Sequence, residues 1–204
     1  MNWLAHIFIS KNVIDYQLGN LLADPLKGKT WAGASQQVED GFKMHGSIDS
    51  FTDSNEYVSK SKARLARKGH LKGVVIDIAY DYLLIKNWDR FSTVDLEYFI
   101  NTFYQSANAT IAEYPSDARR FVKRIIDYDV LTSYASFSGL EAAFLRIDHR
   151  LSERFLVRES AVGYLPALKK EISGIEEDFS HFFPQLVDHF KAEVGMPLRN
   201  HWLR

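Results

Sequence analysis

The stretch Met44-His45-Gly46-Ser47-Ile48-Asp49-Ser50-Phe51-Thr52-Asp53 decides how the rest of the chain is read. As a helix it puts His45, Asp49 and Asp53 on successive turns of one stripe. Met44, Ile48 and Phe51 then form an adjoining apolar stripe suited to a core. An imidazole and two carboxylates are thereby drawn close to buried surface, where leaving them uncompensated is costly. A bound cation reconciles the two stripes; a helix-surface ion pair between His45 and Asp49 is the simpler alternative.

The next segment outward repeats the spacing. In Val74-Val75-Ile76-Asp77-Ile78-Ala79-Tyr80-Asp81-Tyr82-Leu83-Leu84-Ile85, two aspartates stand four apart inside an otherwise apolar run. Such a run reads as a buried helix, and acids seldom sit in one without a partner. Two carboxylates on adjacent turns repel unless a cation lies between them or one takes a proton. Asp77 and Asp81 are therefore expected to face a shared cleft.

Toward the N-terminus, residues 2–9 are apolar apart from His6, and length alone does not separate helix from strand there. Gly19-Asn20-Leu21-Leu22-Ala23-Asp24 runs into Pro25, and the residue before a proline is biased away from the helical region. Asp24 is thus expected at an element boundary, as a ligand or as a turn residue. Residues 27–37 carry Gly and Ser and read as a loop, with a long helix beginning at Val38.

Toward the C-terminus, residues 55–72 carry Lys60, Arg64 and Arg67 on one helical face. This is a local excess of positive charge, either a solvated face or a docking surface. Amphipathic helices are expected over residues 93–110, 116–134 and 138–156. A long helix follows over 161–183, stopping at Pro184, with a shorter one through Phe190. No alternating strand pattern, internal repeat or linker interrupts this series. The expected fold is all-α, one helical domain spanning 1–204.

Composition narrows the chemistry. The 204 residues are 46% hydrophobic and 25% charged, with a net charge of −1, so nothing draws the chain as a whole to nucleic acid or anionic membrane. Cysteine is absent, which removes disulfides and thiolate metal ligands and favours manganese, magnesium or iron over structural zinc. No window matches a transmembrane span or a secretory signal, so the expected location is cytoplasmic. There is no phosphate-cradling glycine loop and no Gly-x-Ser-x-Gly elbow. A metal-bound hydroxide is the nucleophile that remains.

Taken together, Asn2-x-Leu4-Ala5-His6, Gly19-Asn20-Leu21-Leu22-Ala23-Asp24, Met44-His45-x-x-Ile48-Asp49-x-x-Thr52-Asp53 and Asp77-x-x-x-Asp81 resemble the acyl carrier protein phosphodiesterases. That family is regarded as a divergent branch of the all-helical His-Asp metal phosphohydrolases. The likeness continues through the basic Arg146…Arg150…Arg154 helix and Phe179-x-x-Phe182-Phe183-Pro184. Tyr82 stands where members of the family carry histidine. The resemblance implies hydrolysis of the phosphodiester joining phosphopantetheine to the serine of acyl carrier protein. It implies manganese, with magnesium as a substitute, and a helical fold of the His-Asp phosphohydrolase type.

The metal ligands so implied are drawn from His6, Asp24, His45, Asp49 and Asp77. Asp77, Asp81, Asp53 and Asn20 are the catalytic candidates, Asp53 or Asp81 as base and Asn20 orienting a phosphate oxygen or water. Lys60, Arg64 and Arg67 become a docking face for the acidic carrier. Two alternatives stay open: a nucleotide or other small phosphoester as substrate, or a non-catalytic helical module that binds an acidic partner.

Overall fold

A computed structural model describes residues 1–65, 68–193 and 201–204. The described residues form α-helices with no β-strand among them, as the sequence pattern implies. The chain opens with α1 (Trp3–Ile9) and α2 (Ile14–Leu22), so the ambiguous apolar opening is helical. There follow α3 (Gln36–Ser54), α4 (Glu56–Leu65), α5 (Lys72–Lys86), the short α6 (Trp88–Phe91) and α7 (Leu96–Thr110). The rest comprises α8 (Ser116–Asp127), α9 (Val130–Ser133), α10 (Phe137–Asp148), α11 (Glu153–Leu156) and the long α12 (Leu165–Glu193).

Local chemistry sets several of these boundaries. Ser35 caps α3, its hydroxyl accepting from the backbone N–H of Val38. The helix expected over 116–134 breaks in two where Asp129 adopts a left-handed conformation (φ 43°) between α8 and α9. One expectation is overturned at Pro184, which lies inside α12 instead of ending it. An interior proline removes a helical hydrogen bond and crowds the preceding turn. Here Phe179, Phe182, Phe183, Leu186, Val187 and Phe190 are all buried around it, and their packing carries the helix through.

The element that positions the site is the crossing of α2 and α3. Gly19 and Gly41 face each other there: a Cβ on Gly19 would overlap the carbonyl of Val38, and one on Gly41 the carbonyl of Tyr16. Backbone therefore meets backbone, and Asn20 and Asp24 are brought onto the face of α3 that carries His45 and Asp49. On the far side, α4 is tied to α12 through Asp178, only 4% exposed, which accepts from Ser61 and from Arg64. The Tyr80 hydroxyl donates to Ser61 and extends this network to α5. No helix among the described residues is long and apolar enough to cross a membrane.

Candidate metal centre

Where α1, α2 and α3 meet, the rings of His6 and His45 stack with centroids 4.1 Å apart. Both are oriented by one residue. The Asn20 side-chain oxygen lies 2.8 Å from His6 Nδ1, and the Asn20 backbone carbonyl lies 2.8 Å from His45 Nδ1. The Asn20 amide nitrogen donates to the His6 carbonyl and to Ser10 Oγ, so its Oδ1 is left to face the imidazole. Each Nδ1 therefore carries its proton toward an acceptor, and each Nε2 turns to the same side. That is the arrangement expected of metal-binding histidines, whose second nitrogen is fixed from behind.

Both Nε2 atoms face Asp49. His6 Nε2 is 3.3 Å from Asp49 Oδ1, and His45 Nε2 is 3.2 Å from Asp49 Oδ2. Asp24 Oδ1 lies 3.1 Å from His45 Nε2. His6, His45 and Asp49 each offer a ligand atom within 4.8 Å of the others, the group among the described residues that can hold a metal ion. Beside it a cavity of about 130 Å³ is lined by Met1, Asp24, Asp49, Thr52, Asp53 and Asp77. The Met1 amine is 3.1 Å from Asp77 and 3.8 Å from Asp49, placing a positive charge between those carboxylates. The buried Thr52 hydroxyl has no hydrogen-bond partner.

Protonation follows from this geometry. Burial disfavours a charged His6 and lowers its pKa, and the neighbouring His45 pushes the same way. Burial also opposes charge on His45, but hydrogen bonds to Asp24 and Asp49 outweigh it and raise that imidazole to about 9. Burial resists the charge on Asp49 as well, and the two histidines overcome it and hold the carboxyl well below its usual range. A neutral His6 whose Nδ1 hydrogen points at Asn20 aims an Nε2 lone pair at the Asp49 carboxylate and at the Met1 carbonyl, 3.1 Å away. A cation between them turns that repulsion into ligation, so the donor set fits a divalent metal bound through nitrogen and oxygen.

The structure thus brings together His6, Asp24, His45, Asp49 and Asp77, with Asp53 at the rim, where it accepts from Lys62 at 2.9 Å. Two residues expected at the reacting centre lie elsewhere. Asp81 is fully buried and accepts from the backbone N–H groups of Leu4 and Ala5, so it caps α1 and does not line the acidic cavity. Burial raises its pKa to about 7 against those two hydrogen bonds. Asn20 is also fully buried, behind the imidazoles, where it holds rings and does not reach substrate.

On the basic face Lys60 pairs with Glu56, Arg64 pairs with Asp178, and Arg67 lies outside the described residues. Thr52 was missed as a cavity residue. Its spacing, seven positions after His45, carries the signal that would have found it.

The model of one family, acyl carrier protein phosphodiesterase, matches residues 1–186. The chain belongs to that family. It is a phosphodiesterase family, so the chain is classed as a hydrolase. The acyl carrier protein phosphodiesterase of Pectobacterium atrosepticum is 22% identical over 195 residues, spanning 95% of this chain and 99% of that one. The enzyme of the same name from Salmonella agona is 25% identical over 92% of this chain and 96% of its own. That of Yersinia enterocolitica reaches 31% over 91 residues, 44% of this chain and 47% of its own. No solved structure matches the chain.

Proposed function

We propose that this protein hydrolyses the phosphodiester that joins phosphopantetheine to acyl carrier protein, releasing apo-carrier and free phosphopantetheine. The observation that carries the reading is the pair of Nε2 atoms turned by Asn20 onto Asp49, in a chain of the acyl carrier protein phosphodiesterase family. His6, His45 and Asp49 would hold the cation, manganese or magnesium, with Asp24 and Asp77 completing its surroundings. Bound there, such a cation supplies an acidified water and neutralises charge on the phosphoryl oxygens.

The chain's own groups have distinct parts. Asn20 fixes both imidazole orientations. Asp77 or the rim residue Asp53 takes up the proton of the attacking water. Thr52 offers its unpaired hydroxyl to a phosphate oxygen or water. The carrier's negative surface meets α4, whose Lys62 reaches the rim through Asp53 and whose Lys60 is half exposed.

Purified protein loaded with manganese, offered holo-carrier and bis(4-nitrophenyl) phosphate in parallel, tests the reading. Release of phosphopantetheine from the carrier is expected. Cleavage of only the small ester overturns the assignment in favour of a small-phosphoester hydrolase.

A further inference from the structure

Asp24 borders a second cavity as well as the acidic one. This second cavity holds about 270 Å³ and is lined by Asn2, Trp3, Tyr134, Arg146 and Arg150 among others. Trp3, Phe121, Arg146 and Arg150 also line a third, of about 360 Å³, which ends at Arg124 and Tyr128. The two share walls and form one trough leading away from Asp24.

Two independent features of the trough call for a ligand. The first is unsatisfied hydrogen bonding. Asn2 Nδ2 and Arg146 Nη2 are buried and make no hydrogen bond of ordinary geometry, although both side chains interact with the Tyr134 hydroxyl. Buried donors are almost always paired, and one shared hydroxyl leaves both with capacity for further oxygen acceptors. The second is charge. Arg124, Arg146 and Arg150 border the trough, and none has an ion pair among the described residues. Between these polar groups the walls are apolar: Val74, Ile78 and Phe121, the last packed edge-on against Trp3 at 5.3 Å. A small inorganic anion would leave those apolar walls wet. An extended chain with spaced carbonyls meets both requirements.

We infer that the trough receives the phosphopantetheine arm, with its amide carbonyls accepting from Asn2 and Arg146 and its carbons lying against Trp3 and Phe121. This rests on the function proposed above, with the phosphate at the acidic cavity. The two ends of the diester then leave in opposite directions: the arm past Asp24 into the trough, the carrier toward Asp53 and α4.

Calorimetric titration of free 4′-phosphopantetheine into the full chain in the presence of manganese tests this. Wild type is compared with Arg150→Glu, at an exposed position, and with Val74→Trp, which fills the trough. Melting temperatures check that both variants fold. Binding by wild type and at least about tenfold weaker binding by each folded variant is the expected result. No binding by wild type, or equal binding by all three proteins, overturns the inference. Turnover of holo-carrier by wild type, assayed separately, tells the two readings apart. Cleavage without variant-sensitive arm binding sinks the trough and leaves the hydrolase. Variant-sensitive arm binding without cleavage does the reverse.

Discussion

Asn20 shows how much one buried amide can control. It makes four contacts with groups that must not move: both imidazole Nδ1 atoms, the His6 carbonyl and Ser10. Asn20→Ala removes the His6 restraint and leaves buried polar atoms unpaired while keeping every ligand. Manganese affinity is expected to fall roughly 10–100-fold, read by calorimetry, as for lost outer-shell partners elsewhere.

His45 gives a pH signature in metal-free protein. Its folded pKa of about 9 lies above the ordinary 6.5, so its contribution is complete below pH 6.5 and lost as pH rises toward 9. The full effect is on the order of 3 kcal/mol, less a discount because Asp24 is well exposed to water. Asp49 acts oppositely: its carboxyl is depressed, so its contribution is present above the ordinary carboxylate range and lost on acidification. Melting of chelator-treated protein should therefore peak between those limits. A melting temperature that is flat from pH 6.5 to 9 would rule out this pairing.

The proximity of His45 and Asp49 was legible from their four-residue spacing. The role of Asn20 was not, because it depends on where α2 crosses α3. Asp81 misled for a related reason. Its partners Leu4 and Ala5 lie 77 and 76 positions away, and no local pattern announces a cap supplied from so far.

Among the elements, α3 carries two glycines with opposite meanings. Gly41 sits where a side chain would collide with the Tyr16 carbonyl, whereas nothing lies within 4 Å of a Cβ on Gly46. Gly41→Val must push α2 away, with an expected cost of about 2–3 kcal/mol and loss of metal binding as Asn20 leaves the histidines. Gly46→Ala, in mid-helix with open space, should instead stabilise by about 0.5–1 kcal/mol. Denaturant unfolding of the two variants checks both signs. Destabilisation of equal size in both would mean that the glycines serve only the helix and not the crossing. In sequence the two are indistinguishable, since each is a glycine in a helical pattern and only the neighbour differs. Pro184 makes the same point from the other side: a local rule for ending helices gave way to the buried aromatics packed around it.

At the scale of the whole molecule, the proposed ligands come from separate elements: His6 from α1, His45 and Asp49 from α3, with Asp24 just beyond α2 and Asp77 on α5 beside them. A cation bound by this set ties together helices that the chain otherwise joins through loops. It binds the folded state and finds no such site in the unfolded chain. Mass action then stabilises the fold by about 2.7 kcal/mol when free metal is one hundred times its dissociation constant. Manganese should therefore raise the melting temperature of chelator-treated protein in a concentration-dependent way. Asp49→Asn, which keeps the shape but removes the charge facing both Nε2 atoms, should abolish the increase. Lys60→Ala, in α4 and outside the metal-binding group, should leave it intact. A shift that survives in Asp49→Asn would place the cation somewhere other than between the two histidines and Asp49, and the catalytic reading built on that convergence would fall with it.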